Sequence, residues 1–308
     1  FLCDNIFSEK ILVITICIKC TKKNNNMNVK MLVCCHKKDF MVSNDVYYPL
    51  HVGKYNHPDI ELNIQSDNTG DNISFKNDNY CELTGMYWAW KNMKGVDVIG
   101  LCHYRRYFDF GDKHIFKNQV NHVNGSELNI KSLAIPPSLL SEVSNRVVVV
   151  PKKRILPISL RLAYCSIHSC EDLNVLEDVI LKTQEQKYID AYKDVMRYNN
   201  KISCYNMFVM KWDIFNDYCK WLFDLLFEYE RYVNITSYSD YQKRIFGFIS
   251  ERLLNVYIEA NKLQIIEKPI LLVDNVKSKP LAGFIYRVHS FLNNLIFKFN
   301  KIVNGKSF

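Results

Sequence analysis

The feature that most narrows what this chain can fold into is the spacing of its apolar residues. Short, almost wholly apolar runs at 29–35, 96–102 and 146–150 are separated by stretches whose apolar side chains recur every three or four residues. A run without a polar face suits a strand covered on both sides of a sheet. The intervening stretches supply that cover. Leu83, Met86, Tyr87, Trp90 and Met93 fall at helical spacing, and 212–229 is strongly amphipathic. Strands alternating with helices specify an α/β fold, here with a mostly parallel sheet flanked by helices and a helical C-terminal portion.

The same reading gives finer expectations. Ile60, Leu62 and Ile64 alternate with polar residues, which predicts a second strand. Asn79 and Glu82 have the spacing of a capping box, as do Ser239 and Gln242, so helices should start at both places. Residues 176–198 read as one polar surface helix and 203–210 as a strand, while Pro151 should stop the strand before it.

Composition excludes several classes. With 48% hydrophobic and 13% aromatic residues the chain is not disordered. No apolar run reaches the ~18 residues of a membrane span. Forty Lys and Arg against 32 Asp and Glu give a net charge of +8, but the basic residues are dispersed and no nucleic-acid-binding signature accompanies them. Eleven Cys without a disulfide-like rhythm suit free thiols in a reducing cytoplasm. A regular pattern opens only at Met27, so 1–26 reads as a non-native or disordered upstream segment. Its lone Cys17–Cys20 pair is too little for a zinc site. Residues 27–274 form one domain, and 275–308 form a basic amphipathic helix. That last segment has no acidic residue, with Lys277, Lys279, Arg287, Lys298, Lys301 and Lys306 set beside an apolar stripe. The pattern suits an anionic membrane surface bound through 278–308 and a protein held peripherally on the cytoplasmic face of the plasma membrane. The plainer alternative is a stripe packed on the domain or on a second subunit.

Chemistry concentrates at run ends, where α/β folds bind ligands. His103, Arg105 and Arg106 follow the 96–102 run. Guanidinium groups there would grip a diphosphate and stabilise it as a leaving group, with His103 as a candidate acid–base residue. His36 and Lys37 follow the first run, at the position of a nucleotide pocket. Asp67, Asn68, Asp71 and Asn72 form a polar loop that could hold a sugar or a metal, or simply a turn. Asp240, Arg244, Gly247 and Glu251 share one side of a helix, and a carboxylate there, Glu251 or Asp240, could deprotonate an acceptor hydroxyl. No D-x-D pair, GxGxxG or P-loop occurs. If Mg²⁺ or Mn²⁺ is used, Asp67 and Asp71 are its candidate ligands.

These segments also form an ordered series. His36-Lys37-Lys38-Asp39, Asp67-Asn68-Thr69-Gly70-Asp71-Asn72-Ile73-Ser74, Tyr87-Trp88-Ala89-Trp90, His103-Tyr104-Arg105-Arg106-Tyr107-Phe108, Tyr205-Asn206-Met207-Phe208 and Gly247-Phe248-Ile249-Ser250-Glu251-Arg252 resemble the bacterial capsular and exopolysaccharide glycosyltransferase family long filed as a domain of unknown function. The resemblance runs over about 29–270. It implies a GT-A-like fold, a UDP-sugar donor (a UDP-hexose or UDP-galactofuranose) and hexosyl transfer to an oligosaccharide or lipid-linked acceptor. The rival reading is a non-catalytic sugar- or nucleotide-binding module of a polysaccharide assembly complex.

Overall fold

The computed structural model describes residues 13–15, 27–111, 119–274 and 282–303. The segment expected to lie upstream, with its Cys17–Cys20 pair, falls outside the described residues except for 13–15.

Strand β1 (Val13–Thr15) pairs in parallel with β3 (Met41–Ser43), apart from the main sheet. β2 (Val29–Cys35) has the expected bounds, and β4 (Tyr47–His51) lies parallel to it. The expected strand at 60–64 is instead a loop. Lys54 Nζ donates to the Pro58 and Ile60 carbonyls and to Glu61, taking the role of a ladder partner. The alternating apolar residues still turn inward, with Leu62 buried and Ile60 and Ile64 packed beside it. The predicted capping box at Asn79 does not form either. Helix α1 (Asn77–Tyr80) breaks at Cys81, whose φ is +51°, and α2 (Leu83–Asn92) begins beyond it. Asn79 donates to the Lys243 carbonyl instead.

β5 (Val98–His103) turns at Tyr104 and Arg105 into β6 (Arg106–Phe108), and β7 (Val120–Val123) follows. After α3 (Pro137–Glu142), β8 (Val147–Pro151) keeps Pro151 in the strand rather than ending before it. Short β9 (Arg154–Ile155) leads to α4 (Leu160–Cys165) and α5 (Cys170–Thr183). Cys165 and Cys170 are disulfide-bonded across that corner, where the sequence reading expected free thiols. Their Cα atoms lie 4.7 Å apart because the two helices meet in a tight turn. The single helix expected over 176–198 is two, α5 and α6 (Gln186–Arg197), broken at Gln184 and Glu185. Of the run 203–210 expected to be one strand, only the end falls in β11 (Phe208–Lys211), while short β10 (Lys201–Ile202) lies before it. α7 (Trp212–Glu230), α8 (Ile245–Ala260), β12 (Gln264–Lys268), β13 (Ile270–Val273) and α9 (Ala282–Val303) complete the order. Ser239 accepts from the Gln242 backbone N–H as a capping residue would, but regular helix begins only at Ile245.

Among the described residues the main sheet has nine strands, with β4, β2, β5, β11, β8 and β12 side by side and β6, β13 and β7 branching from the end of β5. The sheet is mixed: β4, β2 and β5 are parallel, whereas β11 enters antiparallel between β5 and β8. Successive residues of β2 face opposite sides. Leu32 and Cys34 pack under α2, α7 and α8, while Met31, Val33 and Cys35 meet the layer containing Tyr107 and Phe108. β2 and β5 run side by side in register, from Val29 opposite Val98 to Cys34 opposite His103. Their carboxyl ends therefore release His36 and His103 at the same edge. That edge is the floor of the site.

Candidate functional site

A cleft of about 880 Å³ opens at the carboxyl ends of β2, β4 and β5. Its walls come from α1, the Cys81–Glu82 break, the Tyr104–Arg106 turn, Tyr205 and the amino end of α8. The structure brings His36, His103, Arg105, Arg106, Asp240 and Glu251 together here, from three separate stretches of sequence. Glu82 and Arg244, noticed in the sequence without a settled role, line it too.

The acidic side of the cleft is built around two left-handed residues, Tyr205 (φ +74°) and Asn206 (φ +53°). Side chains rarely accept that backbone, so surrounding contacts must hold it. Glu251 Oε1 accepts the Tyr205 N–H at 3.0 Å, and His103 Nε2 meets the Tyr205 carbonyl at 2.7 Å. Asn206 Nδ2 donates to Glu82 Oε1 at 2.7 Å and to the Gly247 carbonyl. Because a carbonyl only accepts, His103 carries its proton on Nε2, and burial holds its pKa below the ordinary value. His103 is thereby engaged in holding the turn.

Glu251 has 23% of its side chain open, and Arg252 lies 3.2 Å from its second oxygen. Burial raises its pKa above the usual carboxylate value; the Glu82 charge adds to this, while Arg252, the Tyr205 N–H and Arg106 oppose it. Such a carboxylate is a more basic acceptor of a proton than one in water. Asp240 differs. Its side chain is fully exposed on the rim, 3.3 Å from Lys243, which leaves it in a solvated environment unlike that of a buried base.

The basic side is Arg105, Arg106 and Arg244. The Arg106 guanidinium lies over the Tyr205 ring at 5.2 Å, and Arg244 Nε donates to Cys81 Sγ at 3.2 Å. Among the described residues neither forms an ion pair, so both keep donors for an anion. Arg105 is half-exposed, with Nε 3.7 Å from Asp39. Gly247 gives Cys81 its space, since a Cβ there would meet the sulfur at 3.2 Å.

Several residues singled out in the sequence fall elsewhere. Lys37 sits 6.0 Å from the Tyr104 ring and does not line the cleft. Asp67 is wholly buried, and both its oxygens are taken. One accepts Lys54 N–H and Ser74 Oγ–H, the other Gly53 N–H and Thr84 Oγ1–H. Four donors leave no lone pair directed at a sugar or a cation. Asn68 bonds Ser66, Asn72 bonds Gly70 and Ser74, and Asp71 accepts from Tyr87. The loop expected to bind donor or metal is therefore a folded turn tied to α2. Asp67 does not fit a metal ion, and among the described residues no cluster of three or more His, Cys, Asp or Glu could hold one.

The sequence singles out Arg244 and Glu82 but places neither in a binding site. Arg244 stands seven residues before Glu251, in the turn that leads into α8, and that two-turn spacing was a usable signal. Glu82 reads equally as a helix cap or a catalyst, because its approach to the cleft depends on the break at Cys81.

Residues 30–262 match the family described as a domain of unknown function (DUF4422). Among solved structures, the fold is similar to the apo structure of WbbM, a bifunctional glycosyltransferase, at 31% identity and a TM-score of 0.72. The likeness covers 80% of this chain and 46% of that one, so this chain spans about half the length of its neighbour. No curated protein matches.

Proposed function

The chain belongs to this family of unknown function, and from that premise we propose that it is a glycosyltransferase using a nucleoside-diphosphate sugar. The carrying observation is the cleft at the strand ends, where two arginines that form no ion pair among the described residues face a half-buried carboxylate of raised pKa. Glu251 takes the proton of an acceptor hydroxyl. The acceptor oxygen bonds to the anomeric carbon, the bond from that carbon to phosphate breaks, and the nucleoside diphosphate leaves with the electron pair. Arg106 and Arg244, with Arg105 at the rim, take up the charge that grows on the departing phosphate.

In the finer form of this reading the donor is a UDP-hexose and the acceptor a lipid-linked glycan of capsular or exopolysaccharide assembly, as the sequence resemblance implies. Two carboxylates facing one cleft would also suit a hydrolase. Release of sugar from polysaccharide without any nucleotide would favour that second reading.

Calorimetric titration with a panel of nucleotide sugars tests the donor site. Arg106→Ala and Arg244→Ala should each weaken the preferred donor about 10- to 100-fold, the loss of about 1.5–3 kcal/mol expected for a charged hydrogen bond. Arg105→Ala should cost less, since that residue is half-exposed and shared with Asp39. Undiminished affinity in folded Arg106 and Arg244 variants would count against the assignment.

A further inference from the structure

Helix α9 is mounted inside out. Apart from Gly283 and Phe297, its less exposed positions, Tyr286, Ser290, Asn293, Asn294 and Asn300, are polar, and they face the domain. Tyr286 donates its hydroxyl proton to the Lys153 carbonyl at 2.6 Å, and Asn293 Nδ2 donates to the Ile155 carbonyl at 2.9 Å. The outward side carries Phe284, Phe291, Leu295, Ile296, Phe299 and Ile302, with Phe291 68% and Ile302 81% exposed. A surface helix ordinarily does the reverse, burying its apolar stripe against the core. The packing of the stripe onto this chain's own domain, raised above as the plainer alternative, does not occur along α9. A contiguous apolar face of this size calls for an apolar phase to cover it.

We propose that α9 docks the protein on an anionic membrane surface, lying in the headgroup plane with this apolar face in the acyl boundary. Charge selects that occupant over a second copy of the chain. The sequence from Asn275 to Phe308 has no acidic residue, and α9 carries Arg287, Lys298 and Lys301. Two such helices face to face would set like charges together with no carboxylate between them, whereas anionic headgroups neutralise them. The edge to which α9 is bonded adds the basic turn Lys152, Lys153 and Arg154. With 22 residues the helix is roughly 33 Å long at 1.5 Å per residue. No described helix is long and apolar enough to cross a membrane, so α9 lies on the surface rather than spanning it. β9, which α9 grips, pairs with β10, and β10 leads within three residues to Tyr205 in the cleft. Docking through α9 thus fixes how the cleft meets the membrane. The inference stands on α9 alone and does not require the transferase reading.

Flotation of the full chain with vesicles tests it. The chain should float at low salt with vesicles of phosphatidylglycerol and phosphatidylcholine, and much less with phosphatidylcholine alone. Phe291→Ser, Leu295→Ser and Phe299→Ser together should lower partitioning roughly a hundredfold, with unchanged thermal melting because all three side chains face outward. Lys298→Glu with Lys301→Glu should lower it roughly tenfold and remove most of its salt dependence. A full chain that stays at the bottom of the gradient overturns the proposal, and so does equal flotation with neutral vesicles. Light scattering that shows a dimer lost in the triple serine variant, without flotation of the parent, would assign the face to a second copy instead.

Discussion

Replacing Glu251 with Gln should reduce turnover about 10²- to 10⁴-fold, the range for losing a positioned general base. Donor affinity should change little, because the amide oxygen still accepts the Tyr205 N–H and the arginines are untouched. The pH profile provides a second reading. A base works unprotonated, so activity should rise with pH through Glu251's raised pKa, with an acidic limb above the usual carboxylate range. Stability should run the opposite way. An acid whose folded pKa is raised binds its proton more tightly when folded, so its contribution is full below the unfolded pKa and fades as pH rises through the folded one. Glu251→Gln should abolish both dependences. A folded variant with undiminished turnover would remove Glu251 from the mechanism.

The second large effect is on stability. Asp67→Asn should destabilise the fold by about 2–4 kcal/mol, because a buried carboxylate serving four donors is replaced by a group with one acceptor oxygen. Asp71→Asn, on the surface, should stay within about 0.5 kcal/mol of the parent. Urea unfolding of both variants, with and without EDTA, measures this. The expected result is a lowered midpoint for Asp67→Asn alone, indifferent to EDTA. If Asp67→Asn left stability intact and abolished a Mn²⁺-dependent activity, the loop would be a metal site after all.

These two residues mark how far the sequence could be read. Short all-apolar runs determine β2, β5 and β8 because nothing but a doubly covered strand satisfies them, and run ends then locate His36, His103, Arg105 and Arg106 at one edge. Asp67 resembles a ligand in sequence because the same oxygens that bind cations also bind backbone amides. Only the fold decides which donors arrive, and here Gly53, Lys54, Ser74 and Thr84 take every place. Asp240 and Glu251 look equivalent along one helix side, yet one lies on the solvated rim and the other below it against Arg252. The breaks at Cys81 and at Tyr205–Asn206 carry non-glycine residues at positive φ, which no composition rule announces. They were illegible for that reason, and they aim Glu82 and shape the acidic wall. The apolar stripe of α9 was plain in the sequence. Which side of it meets the domain depends on the Tyr286 and Asn293 hydrogen bonds.

Nucleoside diphosphate released from a bound nucleotide sugar when a glycan acceptor is added tests the central claim most directly. The full chain should release diphosphate in step with acceptor elongation, while Glu251→Gln binds the donor and releases none above background. Donor binding without any acceptor-dependent release, across the panel of nucleotide sugars and glycan acceptors, would make the cleft a binding module and contradict the account.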